Sequence, residues 1–244
     1  MAIPEGVCWR GKAWVSPGLG IFLGHAGSHD LHRHMAHQVT IGLSGQVTVR
    51  GPCQALTAPA ICIQAGTLHQ IEGAEVLSIY LDALSEEARA MSCISAAQLV
   101  SISVGNTFAI ERVLETPEVS AHLVREEVRR LLGLKTPQAA EPRMRAVLQA
   151  LEERHDDRIR LAELVHLSPT RFSHWFVEQT GLPLRSYRKW SRLVVALRFV
   201  SIGHNLTEAA YAAGFADAAH FSRSFRVLFG LDPSSALGHV KLTS

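Results

Sequence analysis

The chain has 244 residues, 24 Lys+Arg against 22 Asp+Glu, 47% hydrophobic residues and four cysteines. That length and apolar fraction fit one or two globular domains with their own cores and exclude a low-complexity or disordered chain. Cys8, Cys53, Cys62 and Cys93 show no CxxC spacing, and no basic-then-apolar leader opens the sequence, so a reduced, cytoplasmic protein is expected.

Residues 20–82 read as short strands punctuated by glycine and proline: GIFLG, QVTIGLSGQVTVRG, APAICIQAG and EVLSIYLDA. Alternation at Val39-Thr40-Ile41 and Val47-Thr48-Val49, around a Ser44-Gly45 turn, predicts half-buried strands. Strands at this spacing predict a small β-barrel or sandwich. Among them, His32-Arg33-His34 is followed by Gln38 and Gly45, then by Gly66 and His69. This arrangement resembles the two cupin motifs, in which HxH, a carboxylate and a later histidine point into a barrel. Glutamine stands where metal-binding cupins carry glutamate, so the charged oxygen ligand is missing. Two readings stay open. His32, His34 and His69 can hold a divalent transition metal with an open position. Alternatively, His32, His34, Gln38 and His69 line a pocket for an organic effector. Period-two geometry puts His32, His34 and Gln38 on one face of a continuous strand. His25, His29 and His37 read as exposed loop residues.

Residues 83–133 turn helical, with apolar spacing near 3.6 in LSEEARAMSC, TFAIERVLE and VSAHLVREEVRRLLGL. The last segment places Val119, Leu123, Val124, Val128, Leu131 and Leu132 on one side. It packs either on its own barrel or on a second copy of itself, which would give a homodimer. The uncharged stretch 90–110 has Ser, Gln, Asn and Gly spread through it, so no membrane span is expected. Lys135-Thr136-Pro137-Gln138-Ala139 reads as a linker between residues 1–134 and 140–244. Charge divides in the same place. Residues 1–139 hold 10 Lys+Arg and 12 Asp+Glu, whereas 140–244 hold 14 and 10. A basic C-terminal half suits a polyanion partner.

Residues 160–182 (RLAELVHLSPTRFSHWFVEQTGL) hold a short amphipathic helix through Leu161, Leu164 and Val165, then a turn at His166-Leu167. Ser168 is a good N-cap and Pro169 fits the first helical position. Phe172 and Phe176 form a buried i, i+4 pair, and Gly181 ends the helix. Residues 206–236 (LTEAAYAAGFADAAHFSRSFRVLFGLDPSSA) repeat the pattern. A small-residue helix (Leu206, Ala209, Ala210, Ala213) breaks at Gly214-Phe215. A second helix opens at Asp217 and buries Phe221, Phe225 and Leu228. Alanines let two helices cross closely, and the aromatic stripe seats the second one.

Gly214-Phe215, His220-Phe221, Ser222, Phe225-Arg226, Phe229-Gly230 and Pro233 resemble the signature of the AraC/XylS family of transcription regulators. The chain departs from it at His166, where the family usually has glycine, and at Ala216 and Ala218, often polar in the family. The resemblance implies an α+β protein: an N-terminal cupin-like β-barrel with a helical hairpin for sensing or dimerisation, then an all-α domain. In the latter, two helix-turn-helix units are joined by a linker helix, for which residues 184–200 fit. It also implies base contacts from Thr170, Ser173 and His174, with Arg171 beside them, and from Asp217, His220, Ser222, Arg223 and Arg226. Lys189 and the linker arginines are expected on phosphates. Arg223 suits bidentate contact with guanine. Trp175 and Trp190 are expected in the core.

The leading expectation is a sequence-specific DNA-binding regulator, no enzyme, controlled by a small-molecule effector and acting with RNA polymerase. The alternatives are a cupin-type metal-dependent enzyme fused to a DNA-binding domain and a histidine-based metal sensor. Gln38 in place of a carboxylate counts against iron-type chemistry.

Overall fold

The computed structural model describes residues 8–72, 75–91, 97–116, 119–135, 141–152 and 157–244. Cys93 and all but the first residue of the expected linker at 135–139 lie outside them. The described N-terminal part runs β1 (Arg10–Ser16), β2 (Leu19–His25), β3 (Ala36–Gly42), β4 (Val47–Arg50), β5 (Ala55–Ala58), β6 (Ala60–Ile63), β7 (Gln70–Ile71), β8 (Glu75–Asp82), α1 (Glu86–Ala90), β9 (Leu99–Ser101), α2 (Phe108–Val113) and α3 (Ala121–Leu131). The C-terminal part follows with α4 (Pro142–Glu152), α5 (Arg158–Leu164), α6 (Pro169–Thr180), α7 (Leu184–Ser201), α8 (Leu206–Ala212), α9 (Ala218–Phe229), α10 (Pro233–Leu237) and β10 (Val240–Thr243).

The strands form a seven-stranded sheet in the order β10-β1-β2-β8-β3-β6-β9 and a three-stranded sheet β5-β4-β7. Strand alternation gives the large sheet two buried faces. Ile21, Val39, Ile41, Cys62, Leu77 and Ile79 pack with Val124, Val128 and Leu131 of α3. On the other face, Phe22, Ile61, Ile63 and Val76 pack with Val47, Val49, Ala58 and Ile71 of the small sheet. The α3 stripe therefore covers its own sheet. Leu123 departs from expectation: it is 50% exposed, one residue and about 100° away from the stripe centred on Val124 and Val128. Glu87 of α1 is fully buried and ion-paired with Arg125 at 2.7 Å and Arg129 at 3.0 Å, which ties α1 to α3. Cys8, Cys53 and Cys62 form no disulfide. No described helix is long and apolar enough to cross a membrane.

The two helical units are built alike. Asp157 caps α5, and Ser168 caps α6 with Pro169 in the first turn. Asn205 and Glu208 form a capping box on α8, and Asp217 caps α9. Such caps satisfy helix N-terminal N–H groups that otherwise lack partners. Phe172, Phe176 and Phe221 are completely buried, and Phe225 nearly so. Each such burial is worth about 1.5–3 kcal/mol. The first turn does survive without glycine: His166 takes φ 55°, the one non-glycine residue with positive φ among those described. α7 joins the units and gives Trp190, Leu193 and Ala196 to the core of the second. Its 18 residues span about 27 Å.

The halves are in contact. β10 pairs in parallel with β1, so a strand from the C-terminal half joins the edge of the N-terminal sheet. Met35 and Ala36 are buried in the same cluster as Trp190, Phe221 and Leu228. The Asp30 N–H donates to the Gly230 carbonyl at 2.8 Å. Gly230 needs to be glycine twice over, because φ is 75° and an added Cβ would sit 2.3 Å from the Asp30 carbonyl oxygen.

Candidate nucleic-acid interface and sensor cluster

The expected groove-facing residues occupy α6 and α9, and they divide by what their side chains already do. Thr170, Arg171, His174 and Arg223 are exposed. The Ser173 hydroxyl donates to the Pro169 carbonyl at 3.0 Å, and that of Ser222 to the Ala218 carbonyl at 2.9 Å. Both serines therefore satisfy a backbone acceptor on their own helix. Asp217 accepts the His220 N–H at 2.5 Å, so it serves as the cap of α9. The His220 ring lies edge-on to Phe215, with centroids 5.3 Å apart. Lys189 is half-buried on α7, while Arg185, Arg192 and Arg198 are exposed along it. Arg226 is turned away from the free end of α9. Its guanidinium sits 3.4 Å from Asp30 and 3.3 Å from Asp232, because the last turn of α9 packs beside the 26–35 segment.

The four expected sensor residues do converge, by a route the sequence did not suggest. Residues 32–38 are not one strand: β3 begins at Ala36, and His32 instead forms an isolated antiparallel bridge with His69. Two reciprocal backbone hydrogen bonds of 2.9 Å make that bridge. The Gly66 N–H donates to the His34 carbonyl at 2.8 Å, fixing the other side of the loop. His34, Gln38 and His69 are almost completely buried, and His32 is 5% exposed.

Inside the cluster, Nδ1 of His32, His34 and His69 lies 3.1, 2.9 and 3.0 Å from the carbonyls of Asp30, Ala36 and Thr67. Gln38 Oε1 lies 2.7 Å from His34 Nε2 and 3.1 Å from His69 Nε2. The Gln38 amide nitrogen faces Thr40 Oγ1 at 2.7 Å and Ser78 Oγ at 3.3 Å. Burial holds His34 down to about 4 and His69 to about 3, and pushes His32 well below the usual imidazole range. All three rings are therefore neutral near pH 7. His29 and His37, expected on the surface, are largely buried or partly so. His29 Nε2 accepts the Ile71 N–H at 3.1 Å and His37 Nδ1 the Ala65 N–H at 3.3 Å, which gives both a structural role.

Sequence reasoning missed a cavity between the two halves. A cleft of about 970 Å³, partly open to solvent, lies between the N-terminal sheet and the second helical unit. Phe22, His32 and Tyr80 line it from the sheet side, and Trp190, Val194 and Phe229 from the helical side. No single-element periodicity reports such a space, since it exists only where two elements distant in sequence meet. Beside it, Asp82 at the end of β8 accepts the Trp190 indole N–H at 3.2 Å. Burial raises the Asp82 carboxyl to about 6, against the opposing hydrogen bonds from Leu84, Trp190 and Tyr187.

Residues 161–238 match the family model described as a helix-turn-helix domain. The chain is 36% identical over 98 residues to the HTH-type transcriptional regulator GlxA of Rhizobium meliloti, covering 38% of this chain and 30% of that protein. It is 34% identical over 85 residues to the arabinose operon regulatory protein of Salmonella typhimurium, covering 34% and 30%. The matched region thus spans under a third of each of these relatives. The chain has the fold of an apo ToxT variant from Vibrio cholerae strain SCE256, with a TM-score of 0.61 at 10% identity over 92% of this chain and 98% of that one. ToxT from strain O395 gives 0.58 at 13% identity, with the same coverage of both chains. With the duplicated, capped and aromatic-seated helix-turn-helix units in hand, residues 161–238 form a helix-turn-helix domain similar to those of the AraC-type transcription regulators it matches.

Proposed function

We propose that this protein is a sequence-specific DNA-binding transcription regulator whose α6 and α9 enter successive major-groove segments of double-stranded DNA. The observation that carries this reading is the repetition of one capped helix-turn-helix on either end of a single 18-residue helix. A rod of about 27 Å holds two recognition helices close to one DNA turn apart. Arg171, His174 and Thr170 read bases from the first unit, and Arg223 with His220 from the second. Lys189 and the exposed α7 arginines contact phosphates, fixing register without reading sequence. Ser173, Ser222 and Asp217 contribute less directly, since their side chains are committed to their own helices. RNA polymerase is the partner through which a bound regulator of this kind acts. Residues 1–134 form the sensor and 140–244 the DNA-binding domain.

The two facing sheets support a cupin-like barrel as the architecture of the sensor. Its effector is a small organic molecule in the interdomain cleft, because that cleft touches sensor strands, the linker helix and α9 together. A ToxT structure is described as bound to an unsaturated fatty acid. The present cleft has aromatic walls and no Lys or Arg among its described lining residues, which favours an uncharged apolar ligand over a carboxylate. The test is binding of the full chain to duplex DNA by fluorescence anisotropy, with and without the uncharged dye N-phenyl-1-naphthylamine. Binding that weakens with salt, and that the dye shifts, is expected. No affinity for any duplex at low salt would end the regulator reading. Affinity that the dye leaves unchanged, although it binds the protein, would end the cleft reading alone.

A further inference from the structure

We infer that His32, His34, Gln38 and His69 form a site for one divalent transition-metal ion, which adjoins the organic-effector cleft through His32 alone. The inference does not rest on DNA binding, and its test reads ion binding directly.

The tautomers carry the argument. A backbone carbonyl can only accept, so each Nδ1 facing one must bear the proton. His32, His34 and His69 all face carbonyls in this way. Each neutral ring then presents Nε2 as a bare lone pair, and hydrogen bonding of the other ring nitrogen to a carbonyl is how proteins orient histidine ligands. The ligand atoms of the three residues lie within 4.8 Å of one another. Gln38 Oε1 adds a fourth acceptor, at 2.7 and 3.1 Å from two of those nitrogens. Lone pairs facing each other at that distance repel unless a cation lies among them. Around Zn²⁺, with Zn–N near 2.0–2.1 Å, neighbouring ligand atoms stand about 3.3 Å apart. The Gln38 edges of 2.7 and 3.1 Å would open by about 0.2–0.6 Å to reach that spacing, and the three histidine ligand atoms, all within 4.8 Å of one another, would draw together around the ion.

Gln38 also explains how the site survives without an ion. Turned over, its amide would donate to both imidazoles, and its oxygen would accept from Thr40 and Ser78, whose hydroxyls lie 3.0 Å apart. One side chain thus has two hydrogen-bonded states, a closed one and one that presents an oxygen ligand. An organic molecule does not fit the cluster. Of its four residues, His32 alone lines the large cleft, and the other three are packed against one another. Three imidazoles and an amide oxygen suit Zn²⁺, Co²⁺ or Ni²⁺ and disfavour Mg²⁺ and Ca²⁺, which demand more oxygen ligands. The His34 ring also lies 5.9 Å from Trp190 and 6.4 Å from Phe229, so an ion would sit one ring away from the linker helix and α9.

The experiment is titration of chelator-stripped full-length protein with Zn²⁺ by calorimetry and with Co²⁺ by visible absorption. One ion per chain is expected, with Co²⁺ bands of a four- or five-coordinate nitrogen-rich site. His34→Ala and His69→Ala should each weaken binding by 10-fold or more, and His122→Ala, on exposed α3 surface, should not. Gln38→Glu supplies a negative charge in the same place and should tighten binding by 10-fold or more. Absence of stoichiometric binding, or binding indifferent to His34 and His69, overturns the inference. Should the alanine variants fail to fold, Gln38→Glu decides: tighter binding supports the site, and unchanged affinity overturns it.

Discussion

Two glycines end the two recognition helices in the same conformation but in different surroundings, which makes a controlled test of how the domains meet. Gly181 and Gly230 have φ of 71° and 75°. A Cβ at Gly181 would meet nothing within 4 Å, whereas at Gly230 it would lie 2.3 Å from the Asp30 carbonyl oxygen and 3.0 Å from its nitrogen. Gly181→Ala therefore carries only the left-handed backbone penalty, roughly 1–2 kcal/mol. Gly230→Ala carries the same penalty plus the cost of moving the 26–35 segment off the end of α9. That displacement also breaks the 2.8 Å Asp30–Gly230 hydrogen bond, worth about 1 kcal/mol net. Urea unfolding of the full chain, followed by circular dichroism, should show Gly230→Ala losing roughly 1 kcal/mol or more beyond Gly181→Ala. Gly230→Ala should also increase proteolysis of the 26–35 segment. Equal losses from the two substitutions would refute the domain contact.

Arg223→Ala should cost about 1–3 kcal/mol on the specific site and relax preference at one base pair, whereas Lys189→Ala should weaken all duplexes alike and flatten the salt dependence; anisotropy on specific and random DNA separates them, and equal losses for Arg223→Ala would contradict its base-reading role. Asp30→Ala should free Arg226 from the sensor and raise affinity for random duplex DNA at low salt, and an unchanged affinity would show that the ion pair does not restrain α9. The Asp82 carboxyl, raised to about 6 by burial, gives a pH signature. A folded value above the unfolded one of about 4 means that the fold takes up a proton; that stabilisation is full below about 4 and is lost as pH rises through about 6. Asp82→Asn should accordingly gain stability relative to wild type between about pH 4.5 and 7.5, on the order of 3 kcal/mol, as read from urea midpoints, and a pH-independent difference would show that Asp82 is not held in this way.

The C-terminal units were legible because their signals are local. Caps, a glycine stop and an i, i+4 aromatic pair fall within about one helix length, and Ser168, Phe172 and Gly181 do what their positions announce. The left-handed His166 stands where the AraC/XylS signature that the unit resembles has glycine. The sensor was legible in composition but not in register. His32 and His34 were expected on one strand with Gln38, yet the chain leaves the ladder before Ala36 and is held by the His32–His69 bridge. Strands β1, β5, β7, β9 and β10 escaped notice: β7 and β9 have two and three residues, too few to show a period, and β9 lies inside the 83–133 region expected to be helical, while the partner of β10 lies at the opposite end of the chain. Arg226 fits the exposed pattern of α9 from sequence and is claimed instead by Asp30, 196 positions away. The cleft and the tautomer pattern of the histidines arise only from tertiary contacts, which a period-based reading does not contain.

The most direct test of the central claim is a hydroxyl-radical footprint of the full-length protein on a duplex selected for tight binding. The account predicts two protected segments about one helical turn, roughly 10 base pairs, apart on the same face of the DNA. Arg171→Ala with His174→Ala should erase one segment and Arg223→Ala should weaken the other. A single protected segment that both sets of substitutions abolish together would contradict the reading of two separately reading units.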